Sequence, residues 1–120
     1  MILADTSVWV RHWRHGEPAF AAALRAGKVT VHPFIIGELA LGHLEPRAAV
    51  LADLASLPGA PQAETDEVMA FIEQHRLWNS GIGWVDCHLL ASARLGHHQI
   101  WTLDRPLARA AHRLGVAFAA

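Results

Sequence analysis

The chain has 120 residues, the size of one domain, which we place at residues 1–120. Hydrophobic residues make up 52% and charged residues 18% of the chain, which excludes intrinsic disorder. A net charge of −1 gives no general attraction to nucleic acid, and a single cysteine excludes an internal disulfide. The longest stretch without a charged residue, 54–63, is about half a membrane span, and no basic segment precedes the first apolar residues. We therefore expect a cytoplasmic protein with no signal peptide and no membrane contact.

Short apolar segments alternate with longer segments that carry helix signals. Several predicted helices begin at a proline or at a capping residue such as Asp5 or Thr65, and several end at a glycine. The predicted strands cover residues 2–4, 29–31, 60–63, 99–103 and 116–118. The predicted helices cover residues 7–14, 18–27, 33–42, 46–57, 65–76, 84–95 and 104–115.

Uniformly apolar strands separated by helices are typical of an α/β fold with a mostly parallel sheet covered on both faces. Ligands of such sheets bind outside the carboxyl ends of the strands. This edge of the sheet is where functional residues are expected.

Four acidic residues are predicted to lie at that edge. Asp5 follows the first strand, and Asp104 follows the strand at 99–103. Glu38 falls in the second turn of the helix after the second strand, and Asp86 in the first turn of the helix before the strand at 99–103. Asp5 and Asp104 can equally be helix caps, and Asp86 a first-turn acid favoured by the helix dipole. Glu38 stands in an otherwise apolar segment with no Lys or Arg within one helical turn, where an unpaired carboxylate is costly.

Converging carboxylates repel one another. Two of them about 4 Å apart repel by roughly 4 kcal/mol at an effective dielectric of about 20. A divalent cation removes this penalty, and oxygen-only ligands favour Mg²⁺ or Mn²⁺. Such sites typically catalyse phosphoryl chemistry through a bound water of lowered pKa.

The same residues carry a family resemblance. The segment Asp5-Thr6-Ser7, then Glu38, then Asp86-Cys87-His88-Leu89-Leu90-Ala91-Ser92-Ala93, then Thr102-Leu103-Asp104 resembles the PIN-domain ribonucleases in order and spacing, over the whole chain. The nearest likeness is to the VapC toxins of bacterial toxin–antitoxin pairs.

This resemblance implies a three-layer α/β/α sandwich and a metal-dependent endoribonuclease that leaves a 5′-phosphate and a 3′-hydroxyl. Asp5, Glu38, Asp86 and Asp104 would hold one or two Mg²⁺ or Mn²⁺ ions. Thr102, together with Ser7, would orient the acids or the attacking water. The resemblance also implies a homodimer and a cognate antitoxin that covers the site.

Arginines near the acids are candidates for contact with an RNA substrate. Arg105, Arg109 and Arg113 share one face of the last helix, and Arg105 adjoins Asp104, so we expect a phosphate contact at Arg105 and a solvated role for Arg113. Arg11 lies in a basic cluster interleaved with Trp9 and Trp13.

The other members of that cluster have more than one interpretation. His12, Arg14 and His15 could also touch RNA, while the two tryptophans could instead pack into the core or a dimer interface. His12 and His15 could bind zinc, but no Cys or second pair of histidines completes such a site. Trp84 could line the cleft or close the core, and Cys87 is expected to be a small buried residue.

Two further functions remain as alternatives. A PIN fold could bind RNA or a protein without cutting, although all four acids argue against this. An aspartate-nucleophile phosphatase would need a second Asp two residues after Asp5, where Ser7 stands.

Overall fold

The computed structural model describes residues 1–119, so Ala120, the last residue of the expected domain, lies outside the described part. Its three short strands are β1 (Ile2–Ala4), β2 (Val29–Thr30) and β3 (Gln99–Trp101). Its seven helices, within those residues, are α1 (Thr6–His15), α2 (Pro18–Arg25), α3 (Pro33–Ala40), α4 (Arg47–Ser56), α5 (Thr65–His75), α6 (Trp84–Gly96) and α7 (Arg105–Arg113).

The three strands form one parallel sheet in the order β2-β1-β3. Leu3 pairs with Thr30 on one side and with Ile100 on the other. The connection from β1 to β2 runs across the sheet in one direction, and the connection from β2 to β3 runs back past β1. Because such crossovers are right-handed, the two sets of helices cover opposite faces of the sheet. The predicted α/β/α sandwich around a parallel sheet is therefore confirmed.

The core lies where these layers meet. All three residues of β1 are buried, and Phe20 from α2 packs edge-on against Trp9 and Trp101, with ring centroids 4.8 and 5.6 Å apart. The second half of the core comes from α6, in which seven consecutive residues, 87–93, are buried. A helix that is buried on most of its circumference needs an apolar sequence, and Leu89, Leu90 and Ala91 supply one.

Two predicted strands are only single bridges. No strand forms at 60–63; one parallel bridge joins Gly59, just before that segment, to Val31, and the Ala60 amide donates to the Val31 carbonyl at 2.8 Å. Pro61 has no amide hydrogen, so the pairing cannot continue. The strand expected at 116–118 is likewise one bridge, between Ala117 and Ile100.

The strand expected over residues 99–103 ends at Trp101. The hydroxyl of Thr102 accepts a hydrogen bond from the amide of Asp104 at 3.0 Å, which turns the chain away from the sheet. The predicted helices are all present, with ends shifted by a few residues; α5, for example, is preceded by Glu64 as its cap instead of Thr65. No helix within residues 1–119 combines the length and the apolar character that a bilayer crossing requires.

Candidate active site

Asp5 occupies the point where the strand order of the sheet reverses. It directly follows the central strand β1, and its amide donates to the carbonyl of Trp101 in β3 at 3.1 Å. Its side chain is 7% exposed and caps α1 by accepting from the Val8 amide at 3.3 Å. The predicted capping role is therefore confirmed, and it coexists with a position where α/β proteins bind ligands.

Two hydroxyl groups hold the Asp5 carboxylate. Ser7 donates to one of its oxygens, and Thr102 donates to the other. Ser7 Oγ also accepts from the Leu103 amide at 2.9 Å, so both hydroxyls join the exit of β3 to Asp5. Hydrogen bonds to an ionised acceptor are among the stronger ones, and here they fix the orientation of a buried carboxylate.

Asp104 and Asp86 also stabilise helix starts. Asp104 Oδ2 caps α7 by accepting from the Leu107 amide at 3.0 Å, and its side chain is exposed. Asp86, in the first turn of α6, accepts from the Gly83 amide at 3.0 Å and is half-buried. The prediction that these two acids stabilise helix starts is thus correct. In each of them, one carboxylate oxygen accepts no hydrogen bond from the described residues.

The loop before α6 brings these two acids to the same edge. Gly81 has φ +84, and a Cβ atom at this position would lie 3.3 Å from Cβ of Pro106. A glycine therefore permits both the backbone conformation and the close approach of the loop to the first turn of α7. The starts of α6 and α7 lie side by side as a result.

Glu38 completes the group from α3. Its side chain is exposed, in contrast to the burial that the apolar segment around it predicts, because the core takes its neighbours Ile35 and Leu39 instead. Partial desolvation raises the pKa of Glu38, and the negative charges of Asp86 and Asp5 raise it further. The three carboxylates are therefore close enough to repel one another.

The pKa of Asp86 shows the same mutual repulsion. Burial raises this pKa, the hydrogen bond from Gly83 opposes the rise, and the charges of Asp104 and Asp5 add to it. Asp86 is thus the carboxylate that connects Glu38 electrostatically to Asp104. The four predicted acids come together at one edge of the sheet.

Few positive groups offset this charge. The two ion pairs found among residues 1–119, Arg11 with Glu17 at 3.8 Å and His43 with Glu45 at 3.3 Å, involve none of the four acids. As placed, no three His, Cys, Asp or Glu side chains of the described chain are close enough to hold an ion. The donor set is nevertheless oxygen-only and mutually repelling, which fits a hard divalent cation such as Mg²⁺ or Mn²⁺.

The arginines divide into tethered and free groups. Arg105 and Arg109 are exposed, and Arg105 begins α7 directly beside Asp104. Arg113 donates to the carbonyl of His75 at 3.0 Å, which supports a structural role for Arg113 and not a contact with RNA. Arg11 is exposed but lies near Glu17, so an RNA phosphate at Arg11 would compete with that carboxylate.

The two tryptophans of α1 differ in burial. Trp9 is buried, whereas Trp13 is 41% exposed with its ring centroid 5.5 Å from that of Trp9. Trp13, Arg14 and Glu38 line a cleft of about 570 Å³ between α1, α3 and the segment before α4. His12 accepts from the Glu17 amide at 3.2 Å, which gives this histidine a structural role.

Cys87 and Trp84 differ in burial. Cys87 is buried, and burial together with the charge of Asp86 raises the pKa of its thiol, so the prediction of a small buried residue is confirmed. Trp84 is 42% exposed and therefore does not close the core.

Sequence reasoning missed two buried histidines, His32 and His88. His32 is 1% exposed and caps α3 by accepting from the Phe34 amide at 3.0 Å. Burial, and then the charge of His88, lower the pKa of His32 to about 4. The position of His32 immediately before Pro33, at a helix start, is a signal in the sequence for a capping residue. His88 lies inside an apolar helix, where no such signal marks it.

The fold is that of the PIN class of proteins. The family model described as PIN domain matches residues 2–113, and the chain belongs to that family. The chain is also 42% identical to Ribonuclease VapC32 from two strains of Mycobacterium tuberculosis, over 99% of this chain and 97% of the relative. The resemblance to VapC-type PIN ribonucleases that the motifs indicated is confirmed.

Proposed function

We propose that this protein is a metal-dependent endoribonuclease that acts in the cytoplasm as the toxin of a toxin–antitoxin pair. The proposal is carried by the four acids Asp5, Glu38, Asp86 and Asp104 at the carboxyl edge of the sheet, where burial and then their mutual repulsion raise the pKa values of Glu38 and Asp86. The name of the relative, Ribonuclease VapC32, supports RNA as the substrate.

Each acid has a distinct part in the proposed mechanism. Asp5 is the fixed ligand, because Ser7 and Thr102 orient both of its oxygens. Asp86, Asp104 and Glu38 each retain oxygens for an ion, and with Asp5 they would hold one or two Mg²⁺ or Mn²⁺ ions once their side chains close around it. When bound, the ion supplies a water of lowered pKa and stabilises charge on the phosphate.

Arg105 is the proposed contact for an RNA phosphate next to the scissile bond. Its exposed guanidinium begins beside Asp104, and arginine binds phosphate oxygens in a bidentate manner. Arg11 is proposed as a more distant contact for the RNA backbone. To bind a phosphate, its guanidinium would leave the carboxylate of Glu17. The family resemblance implies that hydrolysis would leave a 5′-phosphate and a 3′-hydroxyl.

Cleavage of mixed cellular RNA tests the proposal. Purified wild type is compared with Asp5→Asn in Mg²⁺, in Mn²⁺ and in EDTA. Asparagine is as good a helix cap as aspartate, so the variant should fold with α1 intact while losing a charged ligand. We expect cutting by wild type in the presence of metal and none by the variant.

The variant also controls for contaminating ribonucleases, which would cut equally in both samples. Equal cutting by the two proteins would reject the site. Binding of RNA without metal-dependent cutting would favour the alternative, a non-catalytic PIN module.

The partner assignments are part of the same proposal. We propose a homodimer and a cognate antitoxin that covers the acids. Sedimentation of the purified chain tests the first, and loss of RNA cleavage on adding the protein encoded beside it in the genome tests the second.

A further inference from the structure

Two large aromatic side chains remain exposed beside the acids. Phe34 is 39% exposed and Trp84 is 42% exposed. Both pack against the ring of His88, with centroid distances of 4.7 Å for Phe34 and 4.6 Å for Trp84. We call the surface formed by Phe34 and Trp84 the aromatic ledge.

Buried rings support the ledge from below. His88 is 4% exposed, and His32, which is 1% exposed, packs against Phe34 with ring centroids 5.0 Å apart. Because these two imidazoles occupy the interior, Phe34 and Trp84 cannot sink into the core. The ledge is therefore held at the surface by the rings packed beneath it.

The ledge adjoins one of the acids through helix α3. Phe34 and Glu38 are four residues apart in α3, so they lie on one face about one turn, or about 6 Å, from each other. Trp84, the first residue of α6, packs against the same His88 ring as Phe34, which places it beside Phe34.

The proposed phosphate contact, Arg105, lies near the same end of the sheet. The loop at Gly81, just before α6, approaches Pro106, the second residue of α7, which begins at Arg105. Aromatic rings and an exposed guanidinium thus both lie near the carboxylates. A single-stranded RNA has both complements: bases that stack on aromatic rings and phosphates that bind arginine.

We propose that the aromatic ledge stacks an unpaired base of the RNA next to the scissile phosphate. This inference rests on the proposed function and deepens it, because it assigns a base-binding position to two named residues beside the acids. A base within a duplex keeps both faces stacked on its neighbours and cannot use the ledge.

The test measures RNA binding in the Asp5→Asn protein with Mg²⁺, so that no cleavage occurs. The probes are a short fluorescent single-stranded RNA and a chain of the same length whose sugars carry no bases. Trp84→Leu and Phe34→Leu keep apolar volume but remove the π-face, whereas Trp84→Phe keeps it. Leu95→Ala is the matched control, since Leu95 is 53% exposed on the same helix and about 16 Å along its axis from Trp84.

We expect each leucine variant to raise the Kd for the base-containing RNA by between about fivefold and a hundredfold, the range for loss of one stacked base. The Kd for the base-free chain should be unchanged, and Trp84→Phe and Leu95→Ala should bind like the parent. Equal losses for both probes, or no loss, would overturn the inference, provided that thermal unfolding shows every variant folded.

Two other results are distinguishable. If the leucine variants convert a dimer into a monomer in sedimentation, the ledge is a contact between copies and the inference fails. Cleavage by the wild type, measured separately, reports on the proposed function. A wild type that cuts RNA while the leucine variants bind normally rejects the ledge alone, whereas a wild type that neither cuts nor binds rejects both.

Discussion

At the scale of single residues, the site depends on how one buried carboxylate is held. Asp5 is nearly inaccessible, yet its two oxygens accept from Ser7 and Thr102 and one also caps α1. A buried charge is tolerable only when its oxygens are fully hydrogen-bonded. The hydroxyls therefore stabilise the fold and orient the proposed ligand at once.

Thr102→Val should impair both properties. The substitution removes the donor to Asp5 and the acceptor for the Asp104 amide, which should lower the free energy of unfolding by about 1–2 kcal/mol. RNA cleavage should fall at least tenfold, since the proposed ligand loses its orientation. Thr102→Ser keeps the hydroxyl, so its free energy of unfolding in urea and its rate of RNA cleavage should both be near those of wild type. A valine variant with full activity would contradict the positioning role of Thr102.

His32 should make the fold sensitive to acid. Its pKa in the folded protein is about 4, below the ordinary value of 6.5, so between these values the unfolded chain binds a proton that the folded chain does not. The free energy of unfolding should therefore fall as the pH drops from 6.5 to 4, by up to roughly 3 kcal/mol.

Urea denaturation of wild type and His32→Asn across this pH range isolates the effect, because asparagine can still cap α3 but does not titrate. The pKa values of Glu38 and Asp86 are raised, so protonation of these acids stabilises the fold as the pH falls, but it does so in both proteins. The variant should show the flatter dependence on pH, and parallel curves would contradict the assignment.

At the scale of elements, three of the four acids of the site double as helix-start residues. Asp5 and Asp104 cap α1 and α7, and Asp86 lies in the first turn of α6. Helix N-termini carry partial positive charge, which offsets part of the repulsion among the carboxylates. The fold thus places these three acids where an acid is favourable in a helix, whereas Glu38 lies in the last turn of α3.

Substitution of Asp104 separates its two roles. Asp104→Asn keeps an oxygen for the Leu107 amide, so the free energy of unfolding should change by only a few tenths of a kcal/mol, whereas Asp104→Ala should cost about 1 kcal/mol. Both should lose most of the RNA cleavage, because both remove a charged ligand. Full cleavage by the asparagine variant would mean that Asp104 is only a cap.

At the scale of the whole molecule, the order of the strands brings the acids together. The central strand β1 lies between β2 and β3, so residues that follow β1 and β3 meet the helix that follows β2 at one edge. Nothing in the described chain neutralises this edge by an ion pair. A divalent cation should therefore stabilise the whole fold.

Thermal unfolding with and without Mg²⁺ or Mn²⁺ measures this effect independently of activity. At a hundredfold excess of the ion over its Kd, the folded state should gain about 2.7 kcal/mol, seen as a higher Tm. For Asp86→Asn, metal should raise the Tm little or not at all, because a charged ligand is lost. Without metal, the Tm of this variant should equal or exceed that of wild type, because repulsion among the carboxylates is reduced. A Tm that metal leaves unchanged in wild type would argue against a cation site.

Much of the fold followed from local signals. Prolines, glycines and capping residues mark where helices begin and end, so all seven helices of the described residues were predicted within a few residues. The positions of the acids relative to the strands followed in the same way, because a residue directly after a parallel strand lies at its carboxyl edge. The short strands were predicted less well, since pairing in a sheet depends on partners far along the chain.

By itself, the sequence determined the order of elements, the four acids and the family resemblance. Only the tertiary structure decided that Thr102 reaches Asp5 across 97 residues of chain, that Glu38 is exposed, that His32 and His88 are buried and that Trp84 is not. The physical reason is one of range. Capping and turn preferences act within a few residues of the backbone, whereas burial, electrostatic repulsion and side-chain contact arise when distant segments pack together.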